Sequence, residues 1–126
     1  MSNYPLATST WDEEELKAIQ SVIDSDKFTM GQFVSTFEKN FGKFIKRKYC
    51  VMVSSGSAAN LLSIASLFYT KKPRLKIGDE VIVPAVSWST TFFPLQQFGL
   101  KLKFVDIDLN TLNYDLDSLE SSISPN

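Results

Sequence analysis

The chain has no histidine and one cysteine, Cys50, in 126 residues. The first absence removes histidine as a general base or metal ligand, and the second removes any internal disulfide framework. Charge of one sign is missing as well. Thirteen Lys and Arg stand against fourteen Asp and Glu, a formal net charge of -1, so nucleic acid is not an expected partner and no acidic disordered tail is indicated. No apolar run reaches the ~18 residues of a membrane span, and Met1 to Thr10 lacks the basic-then-apolar layout of a signal peptide. A soluble, cytoplasmic protein with no membrane partner is expected. There is also no internal repeat and no low-complexity segment. What remains is an ordinary globular mixture, 44% hydrophobic and 21% charged, sufficient for one apolar core.

The apolar spacing divides the chain. Thr10-Trp11-Asp12-Glu13 sets a hydroxyl three residues before a carboxylate, the pattern that satisfies two orphan N–H groups at a helix start, with Thr10 as N-cap. Leu16, Ile19 and Ile23 carry that helix to the turn formers Asp24-Ser25-Asp26. After a connector at Lys27 to Met30, Phe33, Phe37, Phe41 and Phe44 recur on one face of a second helix, a core-facing or subunit-facing seam rather than a ligand box. From Tyr49 the period changes. Tyr49-Cys50-Val51-Met52-Val53 predicts a strand buried on both faces, with Cys50 packed as a small hydrophobe, and a helix follows from near Ser57 with Gly56 at the turn. Glu80 to Pro84 predicts a second strand, and Leu102 to Val105 a third. Between these two a short helix is expected, with Pro94 near its first turn and Gly99 as its stop, and a last helix runs from Leu116 to Ile123.

Strands alternating with helices predict an α/β fold with a mostly parallel sheet flanked by helices. Three strands leave apolar edges uncovered, and the final helix should feed a fourth, so an incomplete domain is expected. The boundaries expected are a helical segment at 1–47 and the first half of an α/β domain at 48–126.

Three places could carry chemistry. Gly56, Ser57 and Ala58 sit where a strand gives way to a helix, and an uncrowded helix N-terminus offers N–H groups and a favourable dipole to an anion; the same residues also suit a plain turn. Trp88 follows the second strand, where open α/β sheets bind ligands, and can lie flat on a cofactor ring or plug the top of the core. Asp106 and Asp108 follow the third strand and can act as acid, base or metal ligand, or cap the turn before Asn110 and Thr111, the reading their neighbours favour. Lys46-Arg47-Lys48 reads as a solvated helix end.

In order, the motifs Thr29-Met30-Gly31, Ser55-Gly56-Ser57-Ala58-Ala59-Asn60-Leu61, Gly78 to Pro84, Ser87-Trp88-Ser89-Thr90-Thr91 and Phe104 to Asp108 resemble the DegT-type pyridoxal-phosphate-dependent nucleotide-sugar aminotransferases. The resemblance covers about Asp12 to the end. It implies the N-terminal part of the large domain of the aspartate-aminotransferase-like fold, with the rest of that domain and a small C-terminal domain absent. Pyridoxal 5'-phosphate is the implied cofactor. Its phosphate falls to Gly56, Ser57 and Ala58, its ring stacks on Trp88, and Thr29 and Gly31 line the sugar-nucleotide pocket; Asp106 is a structural landmark. The family's cofactor lysine and ring-nitrogen aspartate match nothing here, so no catalytic residue is assigned.

The implied activity of the complete protein is amino transfer from an amino acid, glutamate by expectation, to a keto-deoxy nucleotide sugar in cell-surface polysaccharide or lipopolysaccharide synthesis. A homodimer is implied. The alternative within the same fold is a nucleotide-sugar 3-dehydratase, which has histidine in place of the lysine. Asn60-Leu61-Leu62 and Trp88 to Thr91 lean toward that branch. A third reading is a non-catalytic half-domain that binds phosphate or a second chain.

Overall fold

The computed structural model describes residue 5 and residues 7–123, so the expectations for the extreme ends of the chain lie outside the described residues. The chain forms two compact units that divide between Met52 and Val53.

The first unit carries α1 (Glu13–Asp24) and α2 (Gln32–Phe44). The cap of α1 lies two residues beyond the expected Thr10. Asp12 accepts from the Glu14 N–H at 2.7 Å while Glu15 reaches back to the Asp12 N–H at 2.8 Å, because a carboxylate at 12 finds its capping-box partner at 15. At its other end α2 closes by Lys46 N–H to Lys43 C=O (3.1 Å) and Arg47 N–H to Gly42 C=O (2.8 Å), with Lys46 at φ 55. This two-bond stop normally carries glycine at the left-handed position. Gly42 is the one buried residue of either helix, and a Cβ there would lie 3.0 Å from the Arg47 carbonyl and 3.6 Å from Cys50 Cβ. The Phe37 and Phe41 rings stack at 5.5 Å, yet all four phenylalanines of the stripe are exposed. The core-facing half of that expectation is therefore corrected.

The strand expected at Tyr49 to Val53 is also absent. Those residues take no regular structure, and Tyr49 and Val51 are 78% and 67% exposed. A strand exists through ladder bonds, and here the Met52 N–H donates instead to the Glu38 carboxylate at 2.9 Å.

The second unit contains α3 (Gly56–Phe68), β1 (Glu80–Pro84), α4 (Ser89–Gln97), β2 (Lys101–Val105) and α5 (Leu116–Ser122). β1 and β2 pair in parallel, Glu80 opposite Lys101 through Pro84 opposite Val105, with α4 as the crossover. Val83, Leu95 and Leu100 form the buried core, with Ile64, Phe68 and Phe92 packed against it. α4 ends as expected at Gly99. Its φ of 73 allows Gly99 N–H to reach Gln96 C=O and Leu100 N–H to reach Leu95 C=O. Pro94 differs from expectation: it lies in the second turn of α4, not the first, and is buried there.

Candidate functional site

The N-terminus of α3 is built by Ser55. As N-cap it accepts the Ala58 N–H on its hydroxyl at 3.1 Å and the Ala59 N–H on its carbonyl at 3.0 Å. The N–H groups of Gly56 and Ser57 have no partner among the described residues, and nothing lies within 4 Å of a Cβ placed on Gly56. No acidic residue stands in this first turn, whereas α1 carries Glu13, Glu14 and Glu15 in its own. The positive end of the α3 dipole is thus not neutralised by its own side chains. Of the three residues expected at a phosphate, Gly56 and Ser57 have donors to spare, while Ala58 has spent its N–H on the cap.

Trp88 is the N-cap of α4, φ -70 and ψ 141, and 73% exposed. Its indole therefore plugs no core among the described residues. Below it the Thr91 N–H donates to the Trp88 carbonyl at 2.9 Å and the Ser87 hydroxyl meets Thr91 Oγ1 at 2.9 Å, which fixes the turn after β1. α3 and α4 face each other across a cavity of about 210 Å³ lined by Ser57, Ala58, Leu61, Thr90, Phe93, Pro94 and Gln97. The sequence reading had no signal for this cavity, because it depends on how two helices meet. Asn60 crosses between the helices and donates from Nδ2 to the Thr90 carbonyl at 3.1 Å.

Thr29 and Gly31 belong to the first unit. Gly31 is the N-cap of α2, its carbonyl accepts the Ser35 N–H at 3.2 Å, and a Cβ on it would come within 3.3 Å of the Thr29 carbonyl. Thr29 itself is exposed. The lysines Lys71, Lys72 and Lys76 are exposed in the loop that enters β1, at the strand end away from Trp88.

The carboxylates after β2 serve the turn. Asp108 Oδ1 accepts from the N–H groups of Asn110 and Thr111, both at 2.8 Å, and Asp115 caps α5 through the Ser118 N–H at 2.7 Å. Both carboxyls are held below their ordinary value of 3.8, Asp108 first by the Thr111 N–H and Asp115 first by that of Ser118. A larger cavity, about 430 Å³, opens beside these residues, but the Asp108 and Asp115 side chains on its wall are engaged as caps, so the candidate site remains at α3 and α4. Lys103 Nζ donates to the Ser122 carbonyl at 2.7 Å, supplying the cation that the last turn of α5 lacks.

The model of the DegT/DnrJ/EryC1/StrS aminotransferase family matches residues 9–126. The chain belongs to this family. Within it, the GDP-4-keto-6-deoxy-D-mannose 3-dehydratase of Escherichia coli O55:H7 is 67% identical over 124 residues, 98% of this chain and 32% of that relative. A solved structure of the E. coli GDP-4-keto-6-deoxy-D-mannose-3-dehydratase with bound hydrated PLP is 66% identical at a TM-score of 0.89, covering 99% of this chain and 32% of that one. Another, of a GDP-4-keto-6-deoxymannose-3-dehydratase with a trapped PLP-glutamate geminal diamine, is 67% identical at a TM-score of 0.88, with coverages of 98% and 32%. The chain thus has the α/β fold of part of a PLP-binding enzyme and spans about a third of the length of the relatives it matches. Among the described residues no helix is long and apolar enough to cross a membrane.

Proposed function

We propose that this chain is part of a pyridoxal-phosphate-dependent nucleotide-sugar 3-dehydratase acting on a GDP-bound 4-keto-6-deoxymannose, and that it supplies the phosphate end and one stacking face of the cofactor site. The observation that carries the reading is the 67% identity to a dehydratase across 98% of the chain. It turns the sequence expectation from its first choice, the aminotransferase, to its alternative.

The cofactor reading is supported by residues of the second unit. A phosphate ester needs N–H donors at an open, positive helix end, and Gly56 and Ser57 offer two beside the exposed Ser57 hydroxyl. A pyridine ring needs a flat apolar face, and the indole of Trp88 stands clear of the core. Ala58 contributes a side chain small enough to keep that end open. Thr29 and Gly31 remain proposed substrate-side residues, and Asp106 a structural one. When bound, pyridoxal phosphate supplies an electron sink. This chain's share is to bind and orient it, and the sugar-side proton transfers fall to residues outside this set.

Glutamate as amino donor and a homodimer belong to the same proposal, as does the division into a helical segment at 1–47 and a cofactor-binding part from 48. The test is to give the protein that carries this chain pyridoxal phosphate, glutamate and GDP-4-keto-6-deoxymannose and to analyse the nucleotide sugar by mass spectrometry. A product lacking the 3-hydroxyl is expected. An amino sugar would return the aminotransferase, and an unaltered sugar with retained phosphate binding would leave a half-domain that only binds.

A further inference from the structure

Pro94 stands inside α4 and has no N–H, so the helical bond from residue 94 to the Thr90 carbonyl cannot form. That carbonyl is nevertheless satisfied. Its donor is the Asn60 side chain on α3, thirty residues earlier, at 3.1 Å. A carbonyl only accepts, so the Asn60 amide must turn its NH₂ toward α4, where the regular donor to Thr90 is the one that Pro94 lacks. The bond lies where Thr90 and Pro94 share a cavity with Ser57 and Ala58, and it ties the second turn of α3 to the first turn of α4.

We propose that Asn60 is a positioning residue: by replacing the donor that Pro94 removes, it sets the first turn of α4, with Trp88 at its N-cap, against the N-terminus of α3. In regular helices the two ends could slide or tilt past one another, because apolar packing between them is not directional. A missing intrahelical bond filled from the neighbouring helix converts that sliding contact into a fixed one. The consequence for function rests on the cofactor reading above, in which Ser57 and Trp88 hold opposite ends of one small molecule.

The test uses this chain carrying Trp11→Phe, so that Trp88 is the only tryptophan of residues 1–126. Asn60→Ala, Pro94→Ala and the double variant are compared by thermal unfolding, by the anisotropy of Trp88 without cofactor, and by quenching of Trp88 on titration with pyridoxal phosphate. Asn60→Ala should lower stability and anisotropy and weaken pyridoxal-phosphate binding on the order of tenfold, the size of one lost directional hydrogen bond. Pro94→Ala restores a backbone donor to Thr90, so the double variant should recover stability but neither anisotropy nor affinity. Recovery of all three would show that Asn60 merely satisfies a carbonyl and would overturn the proposal. So would an Asn60→Ala chain with unchanged anisotropy. If the parent fails to respond to pyridoxal phosphate, the cofactor reading falls, while the anisotropy comparison still decides the tie between the helices. If Asn60→Ala does not fold, the double variant against Pro94→Ala makes the same comparison.

Discussion

The two compact units differ in what holds them. In the first, the local devices are a capping box on α1, a two-bond stop on α2 and a ring stack along one face. Yet Gly42 is the one buried residue in its helices. In the second, α3 and α5 carry side-chain caps at Ser55 and Asp115, and the strands and α4 together bury Val83, Leu95, Leu100 and Val105. Local hydrogen bonding specifies where a helix starts and stops, while burial decides whether it is stable. Trp11 lies in the first unit and Trp88 in the second, so with Trp88→Phe the emission reports the first unit and with Trp11→Phe the second.

The largest effect should come from the buried core. Leu95→Ala should destabilise the second unit by about 2–5 kcal/mol, the cost of a cavity in a packed site, as read from the denaturant midpoint followed by Trp88. Phe37→Ala in the first unit, on a ring 48% exposed, should cost under about 1 kcal/mol by the Trp11 signal. Equal losses would show that the aromatic stripe is a core after all and would break the contrast.

Next in size is Gly42→Ala. A methyl 3.0 Å from the Arg47 carbonyl requires that carbonyl, which closes the α2 stop, to give by a few tenths of an ångström; the overpacking should outweigh the helix-propensity gain of alanine and leave a net loss of about 1–2 kcal/mol. The first unit would then be sensitive at its glycine and tolerant along its phenylalanines. A neutral Gly42→Ala, measured by the Trp11 transition, would mean that the loop after α2 gives way freely.

How much of this was legible depends on the range of the interaction. The α2 span, the Gly99 stop and the strands expected from Glu80 and from Leu102, the second observed from Lys101, follow from residues close in sequence or from apolar runs that find each other. Residues 49–53 have the same apolar look as 80–84 but find no ladder neighbour among the described residues, and composition does not encode a neighbour. The site divides in the same way. Ser55 to Ser57 can be read as a helix start, but the exposure of Trp88, the cavity between α3 and α4 and the Asn60 bond belong to the packing of two helices. For the Asn60 bond alone, Pro94 was the available signal. A proline within a helical pattern frees a carbonyl, and an amide on the facing helix is a natural donor to seek.

A smaller effect, with opposite sign, is expected at Lys46. Its φ of 55 is a conformation that glycine adopts without steric cost, so Lys46→Gly should stabilise the first unit by up to about 1 kcal/mol, seen as a higher midpoint by Trp11. A loss instead would mean that the lysine side chain contributes more to that helix end than its strain costs.

The smallest effect is electrostatic and belongs to the second unit. Asp108 and Asp115 are held below 3.8, so the stability they contribute is present above that pH and is lost as the pH falls through their folded values. Trp88 should therefore report a midpoint that is flat near neutrality and declines below about pH 4. Asp115→Asn keeps an oxygen for the Ser118 N–H but removes the charge, and should flatten part of that decline. An unchanged acid slope would assign it elsewhere.

The parallel ladder has a consequence for the order of folding. Each pair from Glu80 with Lys101 to Pro84 with Val105 is separated by the same length of chain, so none of them can zip up from a tight turn as a hairpin does. The first ladder bond must await closure of the whole crossover, and the later ones then follow without further loop cost. A preformed α4, ended at Gly99, shortens the search by returning the chain toward β1. We expect substitutions in α4 to slow folding more than those in α5, which joins a ladder already made.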